Sequence, residues 1–136
     1  MKKKTMKTFN NRLCWVTGAS SGIGEALAIE LAKEGAKLIF SSNQPKEFET
    51  VRQKCLAHTS FCELVVFDLS NPAEVQEISE NVSKKYGTIF LLINNGGISQ
   101  RSLIVDTSMD LHRKIMEIDF FSYVIITKSV LPSMIQ

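Results

Sequence analysis

The sequence predicts an α/β fold in which helices cover both faces of a doubly wound parallel sheet. Four short apolar runs alternate with amphipathic helical patterns along the 136 residues, as in repeated βαβ units. The runs are almost continuously apolar, which is typical of strands covered on both faces. A glycine-rich loop joins the first run to the first helical pattern, at the place where such sheets bind their ligands.

The first strand and the first helix are predicted on either side of the glycine loop. Residues 12–17 contain the first strand, and residues 22–34 form the helix. The apolar residues of this helix recur every four positions and are Ile23, Leu27 and Leu31. Gly35 follows where a helix ends in a left-handed residue.

The second strand, second helix and third strand follow without a linker. Residues 37–41 and 61–67 are the apolar runs, and Pro45 opens a helix that extends to about residue 57. One face of this helix consists of Phe48, Val51 and Cys55. No repeat or low-complexity tract interrupts the pattern, so a single domain is predicted.

The third helix has the clearest start in the sequence. Asn71 can cap it, Pro72 fits its first position and Glu74 its third. Its apolar stripe consists of Val75, Ile78, Val82 and Tyr86. Gly87 ends it, and residues 89–93 form the fourth strand.

A long final helix is predicted after the fourth strand. Thr107 and Asp110 have the spacing of a capping box. The apolar residues of its first turns are Leu111, Ile115 and Ile118. Pro132 is expected to kink or interrupt this helix near its end. The chain reaches Gln136 soon afterwards, so we interpret the fold as truncated after strand four and this helix.

The charge balance argues against a nucleic-acid partner. There are 16 basic and 14 acidic residues. The bases that give the excess are Lys2, Lys3, Lys4 and Lys7. The rest of the chain is slightly acidic, which is unlike a nucleic-acid-binding surface. We therefore predict a basic, disordered tail over residues 1–11 and one domain over residues 12–136.

No signal peptide, membrane-spanning run or metal site is recognised in the sequence. No long apolar stretch follows the lysines or occurs further along the chain. His58 and His112 are isolated, and the three cysteines have no Cys-x-x-Cys spacing. These observations predict a cytoplasmic protein with reduced, buried thiols and no membrane partner.

The loop Thr17–Gly24 has the features that a pyrophosphate site needs. The chain must turn tightly, its N–H groups must approach the anion without an intervening Cβ, and a helix must begin there. Gly18, Gly22 and Gly24 can supply the first two features, and the helix that begins at Gly22 supplies the third. Ser20 and Ser21 add hydroxyl donors, and Ile23 belongs to the same predicted cofactor-binding segment. The spacing is Gly-x-x-x-Gly-x-Gly and not Gly-x-Gly-x-x-Gly. Its place between a strand and a helix favours a dinucleotide site over the alternative, a flexible surface turn.

Two further motifs follow in order: Asp68-Leu69 after the third strand and Asn94-Asn95-Gly96-Gly97 after the fourth. Together with the glycine loop they resemble the short-chain dehydrogenase/reductase family, from residue 12 to the last residue. Residues 94–102 are similar in particular to the dehydrogenase/reductase member seven branch. The resemblance implies the N-terminal portion of an NAD(P)-binding Rossmann-type domain. It also implies hydride transfer between a nicotinamide cofactor and a carbonyl or secondary alcohol.

The resemblance implies roles for the residues that match these motifs. Asp68 would accept a hydrogen bond from the adenine amino group, and Leu69 would contact the adenine pocket through its backbone. Asn95, Gly96 and Gly97 would line the cofactor cleft. The residues alone leave alternatives open. Asp68 could be a turn or capping residue, and the second motif consists of residue types that turns favour.

The residues after the second strand favour NADP over NAD. NAD-specific members of the family carry an acidic residue here, which binds the ribose 2′-hydroxyl. Ser42 and Asn43 stand in this region, where no carboxylate would repel the 2′-phosphate of NADP. The basic residue often present near Asn43 in NADP users is also missing, and Lys46 is the nearest substitute.

The catalytic Ser and Tyr-x-x-x-Lys of the family are not found in this sequence. Four residues after Tyr86 and Tyr123 stand Phe90 and Thr127, respectively. Asp119 occupies the position of the family's relay Asn, and an ionised Asp accepts hydrogen bonds without donating them. The first functional hypothesis is an NAD(P)(H)-dependent oxidoreductase by family, with these 136 residues inactive alone. The alternative is a catalytically incomplete dinucleotide-binding or interaction module.

The final helix is expected to contact a partner subunit. Its apolar residues include Phe120, Phe121, Val124, Ile125 and Ile126. In a sheet that ends at strand four these side chains would be exposed, and such surfaces usually find a partner. In the family the corresponding helix packs against another subunit. A homo-oligomer is therefore predicted, with aggregation as the alternative.

Overall fold

The structure is a computed structural model that describes residues 8–136. Its helices and strands, in chain order, are β1 (Leu13–Thr17), α1 (Gly22–Lys33), β2 (Lys37–Ser42), α2 (Pro45–Leu56), β3 (Cys62–Val66), α3 (Pro72–Tyr86), β4 (Leu91–Ile93), a 3-10 turn (Ile104–Asp106), α4 (Met109–Met116), a π-helical turn (Glu117–Phe121) and α5 (Ser122–Met134). The strands form one parallel sheet in the order β3-β2-β1-β4. The predicted doubly wound α/β fold is confirmed.

The strand order reverses beside β1. From β1 the chain moves outward through β2 to β3, and β4 then pairs with the free side of β1. In parallel sheets of this kind, ligands bind beyond the carboxyl ends of the strands at the point of reversal. The topology therefore predicts a ligand site at the loops that follow β1 and β4.

Two hydrophobic cores lie on opposite faces of the sheet. Val16 and Phe40 belong to the core shared with α1 and α2, whereas Trp15 and Ile39 belong to the core shared with α3 and α5. Successive residues of a strand point to opposite faces, so each of the inner strands contributes to both cores. The buried indole N–H of Trp15 donates to the Ser41 hydroxyl at 2.6 Å, which leaves no unpaired donor there.

Most of the predicted helix ends are confirmed. The Asn71 side chain accepts a hydrogen bond from the Glu74 N–H at 3.3 Å and so caps α3. Gly35 and Gly87 follow α1 and α3 with φ values of 80° and 85°. The predicted face of α2 is buried, and its members are Phe48, Val51 and Cys55. All of the cysteines, at positions 14, 55 and 62, are free and buried.

The buried face of α1 differs from the predicted one. The residues that face the sheet are Gly24, Ala28, Leu31 and Ala32. Ile23 is 73% exposed, so its assignment to the apolar stripe is wrong. A Cβ on Gly24 would lie 2.2 Å from the Gly18 carbonyl oxygen. The helix therefore approaches the first loop through small residues, and Ile23 lies outside the core.

The long final helix also differs from prediction. Ser108, not Thr107, caps its start, because the Ser108 hydroxyl accepts from the Leu111 N–H at 3.2 Å. The Thr107 hydroxyl instead donates to the Leu103 carbonyl at 2.9 Å. Pro132 does not interrupt α5, which continues to Met134. The irregularity is the π-helical turn between α4 and α5.

The apolar surface of the final helix is smaller than predicted. Phe120, Phe121 and Val124 are exposed. Ile126 is fully buried in the core shared by α3 and α5, and Ile125 is partly buried against it. The prediction is wrong for these two residues, because α5 turns one of its faces toward the sheet. None of the helices described between residues 8 and 136 is long and apolar enough to cross a membrane.

Residues 8–11, which were predicted as part of a disordered tail, form a turn at the amino-terminal end of the sheet. The Asn11 N–H donates to the Gly35 carbonyl at 2.8 Å. The Phe9 ring packs edge-on against Phe90, with centroids 6.2 Å apart. Residues 8–11 are therefore ordered and do not belong to the predicted tail. Residues 1–7 lie outside the described residues.

Candidate functional site

A cleft of about 450 Å³ opens at the carboxyl ends of the strands, beside the point where the strand order reverses. It is lined by Thr17, Gly18, Ser20, Ser21, Ile23, Ser41, Ser42, Asn43, Gln44, Phe67, Asp68, Leu69, Asn95, Gly96, Gly97, Ile98 and Ile118. The structure thus brings together every predicted cofactor-binding residue except Gly22 and Gly24. These two glycines lie in the first turn of α1, on either side of Ile23.

The glycine loop is held in a conformation that side chains would prevent. Gly18 and Gly22 have φ values of 63° and 58°, in the left-handed region. A Cβ on Gly18 would lie 2.4 Å from the Gly96 Cα, whereas Gly22 faces open space. The Ser21 side chain makes no capping hydrogen bond to α1. The first N–H groups of this helix are therefore available to an anion.

Thr17 joins the loops after β1 and β4, a role that the sequence did not suggest. Its buried hydroxyl oxygen accepts from the N–H groups of Asn95 and Gly96, at 2.9 and 3.1 Å. In return, the Asn95 amide donates to the carbonyls of Thr17 and Gly18, at 3.1 and 3.0 Å. The Asn95 side chain thus clamps the glycine loop. The only sequence signal for Thr17 is a buried hydroxyl residue at the end of a strand, directly before a glycine.

The segment after β2 presents hydroxyl and amide groups to the cleft. The Ser42 hydroxyl accepts from the Gln44 N–H at 2.9 Å, and the Ser20 hydroxyl donates to the Gln44 side chain at 3.5 Å. Asn43 is exposed beside them. Among the lining residues in this part of the cleft there is no carboxylate, and Lys46 is not one of them.

Asp68 serves both as a turn residue and as part of the cleft wall. Its carboxylate accepts from the Ser70 N–H at 2.8 Å, and its carbonyl accepts from the Asn71 N–H at 3.1 Å. Hydrogen bonds from Ser70 hold the pKa of the Asp68 carboxyl below its usual value, and the positive charge of Lys114 also lowers it. The group is therefore an ionised acceptor at neutral pH. The turn role of Asp68 is confirmed, and its hydrogen bond to an adenine stays a prediction.

Asp119 lies in the π-helical turn and contacts the loop after β4. Its carboxylate accepts from the Ile98 N–H at 3.0 Å, and a Cβ on Gly97 would lie 3.1 Å from it. The Tyr123 hydroxyl, one turn later, donates to the Gly96 carbonyl. Burial, and secondly the charge of Asp119, raise the pKa of Tyr123. Single π-helical turns often occur at functional sites. This one holds the loop after β4, and its Ile118 lines the cleft.

Sequence reasoning missed several lining residues. Ser41, Phe67 and Ile118 are buried residues whose side chains looked like core. Gln44 and Ile98 lie in loops next to predicted site residues. Whether such a residue faces a cleft depends on the register and twist of neighbouring strands. Local sequence patterns do not predict either of these.

Comparison with known proteins identifies relatives over most of the chain. The sequence model of the family described as short chain dehydrogenase matches residues 12–136. The human protein named Dehydrogenase/reductase SDR family member 7 is 43% identical over 126 residues. This alignment covers 90% of the present chain and 37% of the human protein, so the chain spans under two fifths of that relative's length.

Solved structures share the fold. A blue fluorescent protein from a metagenomic library, solved in complex with NADPH, superposes with a TM-score of 0.84 and 25% identity, covering 93% of this chain and 52% of its own. The NADH-dependent reductase A1-R′, solved with NAD, gives a TM-score of 0.84 and 25% identity, covering 94% and 54%. The chain therefore spans about half the length of each of these structures.

Proposed function

Because the chain belongs to the short-chain dehydrogenase family, we propose that its cleft binds a nicotinamide dinucleotide. The observation that carries this proposal is the glycine loop itself, packed against Gly96 at the reversal point of the sheet, with the start of α1 uncapped. We further propose that the protein is an oxidoreductase that transfers hydride between this cofactor and a carbonyl compound or secondary alcohol. The nicotinamide ring would supply the hydride acceptor or donor.

Each part of the dinucleotide would contact a different loop. The pyrophosphate fits the N–H groups at the start of α1, because the glycines there let the anion approach the backbone. Asp68 and Leu69 would hold the adenine, and Ser42 and Asn43 the adjacent ribose. Asn95, Gly96 and Gly97 line the part of the cleft nearest β4, where the nicotinamide half would lie.

NADP is the preferred cofactor in this proposal. Where the ribose 2′ position would lie, the cleft presents the Ser42 hydroxyl and the Asn43 amide and no acidic side chain. A carboxylate would repel the 2′-phosphate of NADP. A cleft with Ser42 and Asn43 at this position therefore accepts NADP more readily than a cleft with an acidic residue there. One of the similar structures was solved with NADPH and the other with NAD.

A second candidate function is dinucleotide binding without turnover by these residues alone. The positions of the two tyrosines favour it. The Tyr123 hydroxyl is engaged by the Gly96 carbonyl, and Tyr86 packs against Phe61 before β3, at the opposite end of the sheet from the cleft. Neither tyrosine lines the cleft, where a proton donor would be needed.

Titration of the purified chain with NADPH and with NADH, followed by cofactor fluorescence, tests both candidates. Saturable binding that is tighter for NADPH would support the cofactor proposal. Turnover of a panel of carbonyl compounds would support the oxidoreductase, and binding without turnover would support the second candidate. If the folded chain binds neither nucleotide, the cofactor proposal fails.

We also propose that the final helices join two copies of the chain. Phe120 and Phe121 are 51% and 48% exposed on the π-helical turn, and Val124 continues their surface onto α5. Light scattering of the wild type should give a dimer, and the double variant Phe120→Ser/Val124→Ser a monomer. Ile104→Ser, an exposed apolar residue on the 3-10 turn, is the matched control. A monomeric wild type would contradict the proposal. The cytoplasmic location remains a prediction.

A further inference from the structure

A second cavity lies at the amino-terminal end of the sheet, opposite the cleft. It has a volume of about 600 Å³ and is hereafter the basal cavity. Its walls come from the residues before β1, from the start of β2 and from the segment between α3 and β4. The volume is in the range of small-molecule sites in proteins. No residue of the basal cavity lines the cleft, so the two are separate sites.

The basal cavity is positively charged. Arg12, Lys37 and Lys85 line it, and no acidic residue does. In the part of the chain that the structure describes, none of these three side chains forms an ion pair. Hydrogen bonding to the Tyr86 side chain is the first cause of the raised pKa of Lys85, and the negative charge of Glu63 on β3 is a smaller one. The cavity thus presents three cations that no carboxylate neutralises directly.

Two of these cations lie beside aromatic rings. The Arg12 guanidinium lies 4.8 Å from the centroid of the Phe90 ring, and the Lys85 ammonium lies 4.7 Å from that of Tyr86. An aromatic ring attracts a cation through its quadrupole but carries no net charge. It therefore does not neutralise the cation, whereas a carboxylate would. Phe61 packs edge-on against Tyr86, with centroids 6.0 Å apart, and completes an aromatic wall.

We propose that the basal cavity binds a small aromatic oxyanion, that is, a carboxylate or phosphate group attached to an aromatic ring. Arg12 and Lys85 would hold the oxyanion, since a guanidinium matches two of its oxygens and an ammonium adds a mobile donor. The ring of the ligand would pack against the aromatic wall formed by Phe61 and Tyr86. This site does not depend on the function proposed for the cleft.

The proposal is tested with phenyl phosphate, benzoate, inorganic phosphate and phenol as probes on the ¹⁵N-labelled full chain. Amide shifts should occur around residues 12, 37, 61 and 85–90 and not in the glycine loop. Both aromatic anions should bind more tightly than phosphate, and phenol should not bind measurably. A preference between phenyl phosphate and benzoate identifies which oxyanion the site takes. The same shifts should persist with saturating NADPH, because NADPH is expected in the cleft.

Variants distinguish specific binding in the basal cavity from nonspecific attraction to surface charge. Arg12→Gln/Lys85→Gln should weaken phenyl phosphate binding about tenfold, because it removes two charged donors. Lys84→Gln is the matched control: it is next to Lys85 on α3, carries the same charge and does not line the cavity. Glu63→Gln should tighten binding. If Lys84→Gln weakens binding as much as the double variant, or if phosphate binds as well as phenyl phosphate, the proposal is overturned. Displacement of the probe by NADPH would also overturn it.

Discussion

The backbones of Gly18 and Gly96 are in direct contact: a Cβ on Gly18 would lie 2.4 Å from the Gly96 Cα. The contact brings the loops after β1 and β4 together at the bottom of the cleft. This close approach leaves no space for the Cβ of any other residue at position 18. The backbone there also has a left-handed φ of 63°. The energetic cost of the close contact and that of the left-handed backbone can be measured separately.

Gly18→Ala should lower the free energy of unfolding by about 2–4 kcal/mol, through left-handed strain and overpacking together. Gly22→Ala is the control, because Gly22 has a φ of 58° but open space around it. It should cost only the strain, about 1–2 kcal/mol. Urea denaturation of the three proteins checks this, and equal losses in the two variants would mean that the close contact has no energetic weight.

Thr17→Val should be more harmful than its size suggests. Valine has the same shape but cannot accept the hydrogen bonds from the Asn95 and Gly96 N–H groups. Leaving these donors unpaired should cost about 2–4 kcal/mol of unfolding free energy. Thr17→Ser keeps the acceptor and loses one methyl, which should cost about 1 kcal/mol. If the serine variant is the less stable of the two, packing and not hydrogen bonding determines the role of Thr17.

Asp68 should contribute stability that depends on pH. Because its folded pKa is depressed below the ordinary value of 3.8, the contribution is present above that value and is lost as the pH falls through the lower folded pKa. The stability difference between wild type and Asp68→Asn should therefore be larger at pH 7 than at pH 2–3. Asp106→Asn, on the exposed 3-10 turn, serves as the control for general charge. A difference that does not change with pH would contradict the prediction.

Tyr123 should ionise at higher pH than an ordinary tyrosine. Burial first, and the charge of Asp119 second, raise its pKa above 10.0. Its stabilising contribution is therefore present below pH 10 and is lost as the pH rises through the folded pKa. Absorbance titration in a Tyr86→Phe background would isolate Tyr123. Adding Asp119→Asn should lower the observed pKa, and an unchanged value would mean that Asp119 does not act on this hydroxyl.

The sequence predicted the parts of the fold that depend on local patterns. The strands are apolar runs, and Asn71 and Gly87 mark the ends of α3 by their chemistry. The glycine loop was predicted from its place between a strand and a helix. The site residues after β3 and β4 were predicted from the resemblance to the family, and the parallel sheet brings these strand ends together. Ile23 and Ile126 were misassigned because helical periodicity alone does not say which face meets the sheet. Thr17 and the π-helical turn at Asp119 depend on contacts across the sheet, about which single residues carry no signal.

The length of β1 sets how the cleft and the basal cavity can communicate. The strand has five residues, and at about 3.3 Å per residue the Cα atoms at its two ends are roughly 13 Å apart. This is more than the Debye length of roughly 8 Å at physiological ionic strength. A charge bound at one end would be largely screened from the other through solvent. Coupling between the two ligands through solvent would therefore be weak, whereas coupling transmitted by the packing of the buried strand would not weaken as salt is added.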